Sequence, residues 1–481
     1  MTNFETVMGI EVHVELSTES KIFCGCSAAF TVEANGHVCE GCAGMPGTLP
    51  ALNRKVVEYA IRAGLALNCE ISKFSRFDRK NYFYPDLPAA YQITQLYHPI
   101  CKNGHLDILA EGAKKSIGIN RIHIEEDAGK LVHDSWDDCS LVDYNRCSVP
   151  LIEIVSEPDF RTAGEVVAYL EKLKSTLQYL GVSDCKMQEG SMRADINISV
   201  RPVGAEKFGV RTEMKNMASL KSIARAIDGE SARHIEVIEA GGTLCQETRR
   251  WDDNKNRSYA MRSKENAHDY KYFPDPNLMP VIVGEDDIRN IRETLPELQE
   301  EKKARYIREF ELPEYDADIL TGSKHLVDVF ERTVEICKNP KDASNWVMTE
   351  LMKLLNEAQL QPEDMHFRPD SLGEILLMIS EGKINRSVGK KTLAAVLETD
   401  ILPKDYVEQN GLLQVSDAGA IEPVIREVLD QNEKAVSEYL GGNERNIQFL
   451  IGQSMKALRG KGDPQVIREL LVALLNDRKK G

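Results

Sequence analysis

The sequence predicts an α+β fold, a mostly antiparallel sheet domain followed by all-helical domains, and two observations carry that reading. Over the first ~290 residues, short runs alternate polar and apolar side chains and are separated by Gly, Pro, Asp and Asn, as in strands with one wet face. From near Asp286 the texture changes to charged segments with helical periodicity and stays so to the end. Strands gathered first and helices later favour α+β over a doubly wound parallel sheet, in which the two would alternate. The expected divisions are 1–290 for the sheet domain, 291–410 for a helical linker and 411–481 for a helical tail.

Glu11-Val12-His13-Val14-Glu15 is the first strand, with Glu11, His13 and Glu15 on one face and the valines on the other. Val56–Leu67, following Asn53, reads as a helix, and so does Glu165–Leu180. The latter lines Val166, Val167, Leu170, Leu173 and Leu177 on one stripe before Gly181. Ile117–Ile124, Leu151–Val155, Asp195–Arg201 and Val210–Lys215 are the further strands. Helical patterns then cover Ile288–Glu309, Lys324–Asn339, Ala343–Ala358 and Ser371–Glu381. In the tail, Glu422-Pro423 and Asp463-Pro464 place an acidic residue ahead of a proline at the first helical position, with glycine breaks at Gly441-Gly442 and Gly460–Gly462.

Composition bounds the function. The chain is 42% hydrophobic and 28% charged, which is ordinary for a globular protein that buries a sizeable core. A formal charge of −16 argues against a broad nucleic-acid-coating surface and leaves room only for a local basic patch. The tail is the place for one: residues 411–481 carry ten basic and ten acidic residues, and residues 445–481 carry eight basic to three acidic, including Arg445, Lys456, Arg459, Lys461 and Arg478–Lys480. The N-terminal segment shows no basic leader or apolar stretch, and no 18-residue apolar run follows, so a cytoplasmic protein without membrane contact is expected. Eleven cysteines in a chain this long argue against a disulfide scaffold; in a reducing compartment clustered thiols point to metal, and the seven scattered ones read as small buried hydrophobes.

Cys24-x-Cys26 and Cys39-x-x-Cys42 form the most specific local signal. Two close thiol pairs across a short loop are the spacing of a four-thiolate zinc knuckle, and a closed set of four leaves no open position for substrate, so a structural zinc is expected. The acidic constellation is more dispersed. Arg121-Ile-His-Ile-Glu-Glu-Asp127 puts His123, Glu125 and Asp127 on one face, and Asp195-Ile-Asn-Ile-Ser-Val200 puts Asp195, Asn197 and Ser199 on one face. Glu153 stands inside the apolar run Leu151–Val155, where a carboxylate must be paired or hold a metal. Several acid-lined strands in one domain suggest a shared cleft for Mg2+.

Cations accompany the acids: Arg79-Lys80-Asn81, Arg193 after Gly190-Ser191, and Lys215-Asn216 at a strand end. Carboxylates to hold a metal and cations to neutralise moving charge are the parts of a phosphoryl-transfer site. The glycine-rich phosphate loops of P-loop, Rossmann and protein-kinase sites are absent, as is a G-x-S-x-G elbow.

Six segments in order give the chain a family resemblance: Gly9-Ile-Glu-Val-His-Val-Glu15, Phe77-Asp-Arg-Lys-Asn-Tyr-Phe-Tyr-Pro-Asp86, Glu125-Glu-Asp-Ala-Gly-Lys130, Pro150-Leu-Ile-Glu-Ile-Val-Ser-Glu-Pro-Asp159, Glu189-Gly-Ser-Met-Arg193 and Asp269-Tyr-Lys-Tyr-Phe-Pro-Asp-Pro276. It resembles the B subunits of aspartyl/glutamyl-tRNA amidotransferases over essentially its whole length. The resemblance implies a cradle-shaped kinase domain, a helical and tail region that engages tRNA, and a heterotrimer completed by an amidase (the A subunit) together with a small C subunit. It implies that ammonia released by the amidase reaches a side-chain carboxylate of Glu or Asp misacylated on tRNA, phosphorylated with ATP and Mg2+. Carried onto this sequence, Glu11, His13, Glu125 and Glu153 are the expected metal ligands. Lys80, Asn81, Arg193, Lys215 and Asn216 are the expected phosphate or substrate contacts, and Ser191, Asp195 and Asp275 the cofactor contacts. No extra length accommodates the inserted domain of the archaeal paralogue, which favours the bacterial or organellar type. Two other classes fit parts of the chain. A non-catalytic zinc-knuckle tRNA chaperone has no need of the acid-lined strands, and a stand-alone metal hydrolase has no use for the helical tail.

Overall fold

The computed structural model describes residues 4–134, 139–263, 270–414, 418–458 and 462–480. Asp269, Arg459 and Lys461, all singled out above, lie outside the described residues, as do the side chains of Lys479 and Lys480. The chain divides into two compact units, 1–298 and 299–481.

In the first unit the order is β1 (Phe4–Glu15), α1 (Arg54–Ala66), β2 (Glu70–Ile71), β3 (Phe74–Asn81), β4 (Tyr91–His98), β5 (Cys101–Ala110), β6 (Ala113–Glu126), β7 (Lys130–Asp134), β8 (Cys139–Asp143), β9 (Pro150–Ser156), α2 (Ala163–Tyr179), β10 (Met192–Pro202), β11 (Thr212–Lys215), α3 (Leu220–Glu239), β12 (Glu247–Asp252), β13 (Arg257–Ser263), β14 (Phe273–Pro274), β15 (Val281–Ile282) and α4 (Glu285–Glu293). Nine strands make one sheet in the order β13-β12-β11-β10-β1-β9-β6-β5-β2. Its pairings are antiparallel except β11 with β12, which α3 joins as a crossover.

The period-2 pattern sorts the two faces of this sheet. Ile10, Val12 and Val14 of β1, Ile122 and Ile124 of β6, Ile152 and Ile154 of β9, and Ile196 and Ile198 of β10 are all buried in one core with residues of α1, α2 and α3. Asn53, Thr162 and Ser219 cap those helices by accepting the backbone N–H of Lys55, Glu165 and Ser222. Gly64 lets α1 lie directly on β5, since a Cβ there would stand 2.4 Å from the Cys101 sulfur. The other face of the sheet carries the polar residues, and β4 lies against it beside β6.

Helix α3 is absent from the sequence reading because its buried stripe is not apolar throughout. Ile223, Ala226 and Ile227 are followed on the same side by Glu230 and His234, both with side chains fully enclosed. Glu230 is tolerated there because it accepts hydrogen bonds from Arg233 (2.6 Å) and Ser258 (2.6 Å) and lies 3.2 Å from His234 Nε2. Burial alone would raise its carboxyl; bonds from His234, Arg233 and Ser258 outweigh that and hold it at about 2. The network ties α3 to β13.

The second unit is helical: α5 (Gln299–Glu309), α6 (Glu314–Thr321), α7 (Lys324–Cys337), α8 (Pro340–Trp346), α9 (Met352–Ala358), α10 (Asp370–Ser380), α11 (Arg386–Thr399), α12 (Pro403–Gln409), α13 (Ala418–Gln431), α14 (Glu433–Leu440), α15 (Asn446–Ala457) and α16 (Pro464–Lys480). The expected helix Ile288–Glu309 is two helices, α4 and α5, interrupted across Thr294–Leu298, where Pro296 cannot donate. The expected helix Ala343–Ala358 runs from α8 to α9 through a π-helical turn at Val347–Leu351. Pro464 does open α16, with Asp463 accepting from Gln465 N–H; Pro423 instead falls inside α13. Two separate apolar cores serve these helices, one centred on Tyr306, Phe330 and Trp346 and one on Ile421, Leu450 and Leu471. Among the described residues no helix is long and apolar enough to cross a membrane.

Candidate active site

Strand register builds the site. On the polar face of the sheet, β6, β9 and β1 align His123 with Glu153 and Glu153 with His13, and β10 continues that row with Arg193. One step along, Glu11 pairs with Asp195, and one step the other way lies Glu125. These rows floor a cavity of about 420 Å3, closed on other sides by Lys80 of β3, Thr94 and Gln95 of β4, and Tyr270 and Tyr272.

His13, Glu125 and Glu153 converge so closely that one donor atom from each lies within 4.8 Å of the others. Glu153 Oε2 stands 3.4 Å from His13 Nε2 and 3.2 Å from His123 Nε2, which explains how a carboxylate survives inside an apolar run. Glu125 lies 3.8 Å from His13 and 3.6 Å from His123, and Thr94 Oγ1 donates to it at 3.1 Å. Burial works against charge on both imidazoles. Glu153 and Glu125 overcome it and lift each from 6.5 to about 9, with Asp195 adding to the effect at His13. Burial likewise opposes the charge of Glu153, and the two imidazoles outweigh it and hold its carboxyl well below the usual range.

Two carboxylates and an imidazole on converging strands form a donor set suited to a divalent cation, with His123 placed to orient Glu153. Glu11 is one row away: it accepts from Asn197 Nδ2 at 2.9 Å and lines the same cavity. Four cations face that space, Lys80, Arg121, Arg211 and Lys215. Lys215 is held by Asp195 and by Glu213 at 3.4 Å, and although burial opposes it, those two acids raise its pKa and keep it charged. Lys80 lies over the rings of Tyr270 (5.1 Å) and Tyr82 (5.5 Å). Among the described residues no serine or cysteine lines the cavity.

Other sequence-selected residues sit beside the cavity rather than in its walls. Arg193 donates to Asp127 at 2.8 Å, and Asp195 anchors Lys215. Asn81 donates to the carbonyls of Tyr270 and Lys271, fixing the aromatic wall. Ser191 closes a turn with Lys186 N–H, Asn216 is exposed at a φ of 65° after β11, and Asp275 is buried against Arg79 at 2.6 Å. The sequence reading did not select Arg121, His123, Arg211, Glu213, Thr94 or Tyr272 as site residues. His123 was legible on its strand face, whereas Arg211 and Glu213 depend on the register of β11.

Comparison with known proteins matches residues 6–289 to the GatB/GatE catalytic domain and residues 328–475 to the GatB domain. The chain belongs to the GatB/GatE family. It is 58% identical over 476 residues to the B subunit of the aspartyl/glutamyl-tRNA(Asn/Gln) amidotransferase of Lachnoclostridium phytofermentans, covering 99% of this chain and 100% of that one. B subunits of the same name from Agathobacter rectalis and Caldicellulosiruptor bescii are 55% and 52% identical, over 99% and 97% of this chain and 100% and 98% of theirs.

The region matched to the GatB/GatE catalytic domain also contains the thiol cluster. Cys24, Cys26, Cys39 and Cys42 bring their sulfurs within 4.8 Å of one another, with Cys39 and Cys42 3.9 Å apart. A tetrahedral zinc with Zn–S of ~2.3 Å would space its ligands by roughly 3.8 Å, so the set fits. Lys21, fully buried, points its ammonium at the Cys42 sulfur (3.6 Å) and at the His37 carbonyl (2.8 Å). The Cys24 thiol, the Cys39 N–H and Lys21 together lower the Cys42 pKa despite burial. The loop is also stitched to the end of β8 and the residues after it: Asn35 N–H donates to Asp143 and His37 N–H to Asn145. Arg478, just beyond the matched GatB domain, is ion-paired with Asp430 within it, while Arg445 is exposed.

Proposed function

We propose that this chain is the B subunit of a heterotrimeric tRNA-dependent amidotransferase, with an amidase (its A subunit) and a small C subunit as partners, and that the cavity over β6, β9 and β1 activates the side-chain carboxylate of Glu or Asp misacylated on tRNA(Gln) or tRNA(Asn) with ATP. The observation that carries this reading is the juxtaposition of the His13–Glu125–Glu153 donor set with Lys80, Arg121, Arg211 and Lys215 in one space. Such a site performs chemistry between two bound substrates by positioning and charge stabilisation.

The expected reaction has two displacements. A substrate carboxylate oxygen attacks the γ-phosphorus of ATP, and the bond from that phosphorus to the ADP oxygen breaks. Ammonia then attacks the acyl carbon, loses a proton, and the phosphate leaves with its electron pair. His13, Glu125 and Glu153 would hold Mg2+, which would supply positive charge to the transferring phosphate when bound. Lys215 is kept protonated by Asp195 and Glu213 and presents a fixed cation to the transferring group. Arg121 and Arg211 add donors, and the Tyr270 and Tyr272 rings narrow access of water. His123 keeps Glu153 ionised and oriented. The four thiols would hold a zinc that fixes the loop between β1 and α1. The tail helices α13–α16, with their exposed cations, would hold the tRNA.

The test is amidation by the reconstituted complex on both misacylated tRNAs. His13→Ala should abolish amidation and tRNA-dependent ATP cleavage while the amidase still hydrolyses glutamine. Full amidation by that variant would overturn the assignment.

A further inference from the structure

Many cations among the described residues form ion pairs with acids, and the β12–β13 hairpin gathers three that do not. Arg250, Lys255 and Arg257 are exposed and gather around one ring, Tyr259, at 5.9, 5.5 and 4.7 Å from its centroid. Arg257 Nε also donates to the Tyr259 hydroxyl. None of the three cations has an ion-pair partner among the described residues. The hairpin's own acids are committed elsewhere: Asp252 accepts the N–H groups of Asn254 and Lys255, and Asp253 accepts from Arg225, Ser222 and Trp251. Three like charges crowded on one aromatic group, none of them ion-paired among the described residues, describe a surface suited to an external polyanion.

Its position says which one. In the sheet register Lys215 pairs with Arg250, and Arg250 pairs with Tyr259, so the three lie in one row across β11, β12 and β13 on the same face. Lys215 is a wall of the cavity, and β13 is the edge of the sheet. At ~4.8 Å per strand, the row leads from the cavity wall to the sheet edge in roughly 10 Å. A substrate whose side-chain carboxylate reacts in the cavity is esterified to a terminal nucleotide, so the nucleotides before it must cross the cavity rim.

Resting on the function proposed above, we infer that Arg250, Lys255, Arg257 and Tyr259 form a track for the unpaired 3′ end of the aminoacylated tRNA. The cations meet successive phosphates, and the Tyr259 ring and the guanidinium planes beside it stack the bases. An acidic peptide would meet the same charges but has no bases to stack and no reason to lead into the cavity.

The experiment compares the intact heterotrimer with a variant carrying Arg250→Ala, Lys255→Ala and Arg257→Ala, and with a charge-keeping variant carrying Arg250→Lys, Lys255→Arg and Arg257→Lys. Binding of intact tRNA and of tRNA trimmed of its unpaired 3′ nucleotides is followed by fluorescence anisotropy across a salt series. The alanine variant should bind intact tRNA about tenfold more weakly, with a log–log salt slope shallower by about 2, from ~0.7 per single-strand phosphate contact. Its KM for misacylated tRNA should rise in step while kcat stays within about twofold. The charge-keeping variant should retain the slope, and trimmed tRNA should bind wild type and alanine variant alike. Unchanged binding of intact tRNA by the alanine variant, or an equal defect with trimmed tRNA, would overturn the track. Failure of the wild-type complex to use ATP with tRNA would instead overturn the proposed function, and the binding comparison would still decide the track.

Discussion

Replacing Glu153 with Gln keeps the shape of the side chain and removes one charge, that of the stronger of the two carboxylates that raise both imidazoles. At 3.4 and 3.2 Å from His13 and His123, that charge is worth about 5 kcal/mol per pair at an effective dielectric near 20, before desolvation is subtracted. The net gain is smaller: each imidazole rises from 6.5 to about 9, which corresponds to about 3 kcal/mol. The folded pKa lies above the unfolded one, so this stabilisation is complete below pH 6.5 and is lost as pH rises through about 9. In chelated protein, the wild type should therefore lose on the order of 3 kcal/mol or more of stability between pH 6 and pH 10 from this site. Glu153→Gln should fall less steeply across that window, since Glu125 still faces both imidazoles; it should be less stable than wild type at pH 6 and equal or better at pH 10, where the wild type buries a carboxylate without charged partners. Denaturant unfolding in chelator at several pH values reads this directly. The same variant, titrated with Mn2+ by calorimetry, should bind at least about 100-fold more weakly, since it loses an anionic ligand. Parallel stability curves for wild type and variant, or unaltered Mn2+ affinity, would refute the linkage of Glu153 to both imidazoles and to the metal.

Three other outcomes follow. Glu230→Gln should remove an acid-sensitive term: the depressed carboxyl stabilises above pH 4.5 and ceases to as pH falls towards 2, a span worth about 3 kcal/mol, so the variant's stability should fall less steeply over that range. Metal analysis should find one zinc per chain, and Cys39→Ser should lose it and lower Tm by about 5 °C or more while the phosphoryl chemistry of the folded fraction persists; an unchanged zinc content would defeat the thiolate site. Removing residues 418–481 should raise KM for misacylated tRNA about tenfold and weaken salt-sensitive binding, with glutaminase activity kept; equal tRNA binding would give α13–α16 another role, such as assembly of the heterotrimer.

The parts legible in the sequence were those where a period and a chemical anomaly coincide. β1 is readable because valines alternate with Glu11, His13 and Glu15, and Glu153 because a carboxylate in Leu151–Val155 demands a partner. What the sequence withheld was register. Nothing local says that His123, Glu153 and His13 stand in one row, or that the Arg211–Lys215 segment turns Arg211, Glu213 and Lys215 towards them. Asp275 and Ser191 look like Asp195 in one dimension, and nothing local says that their oxygens meet the Arg79 guanidinium and the Lys186 N–H. Helix α3 escaped because Glu230 and His234 replace apolar residues on its inner stripe, and the α4–α5 break because charged periodicity continues across Pro296. Both are cases where a tertiary partner, invisible locally, decides the outcome.

The central claim, that this chain's cavity lets the substrate carboxylate attack ATP, is tested most directly by an isotope measurement. Misacylated tRNA carrying 18O in the side-chain carboxylate is incubated with the reconstituted complex, ATP and glutamine, and the inorganic phosphate released is analysed by mass. The account predicts one 18O per phosphate formed, one 18O retained in the product amide, and loss of both signals with His13→Ala. Phosphate free of 18O alongside normal amide formation would contradict it.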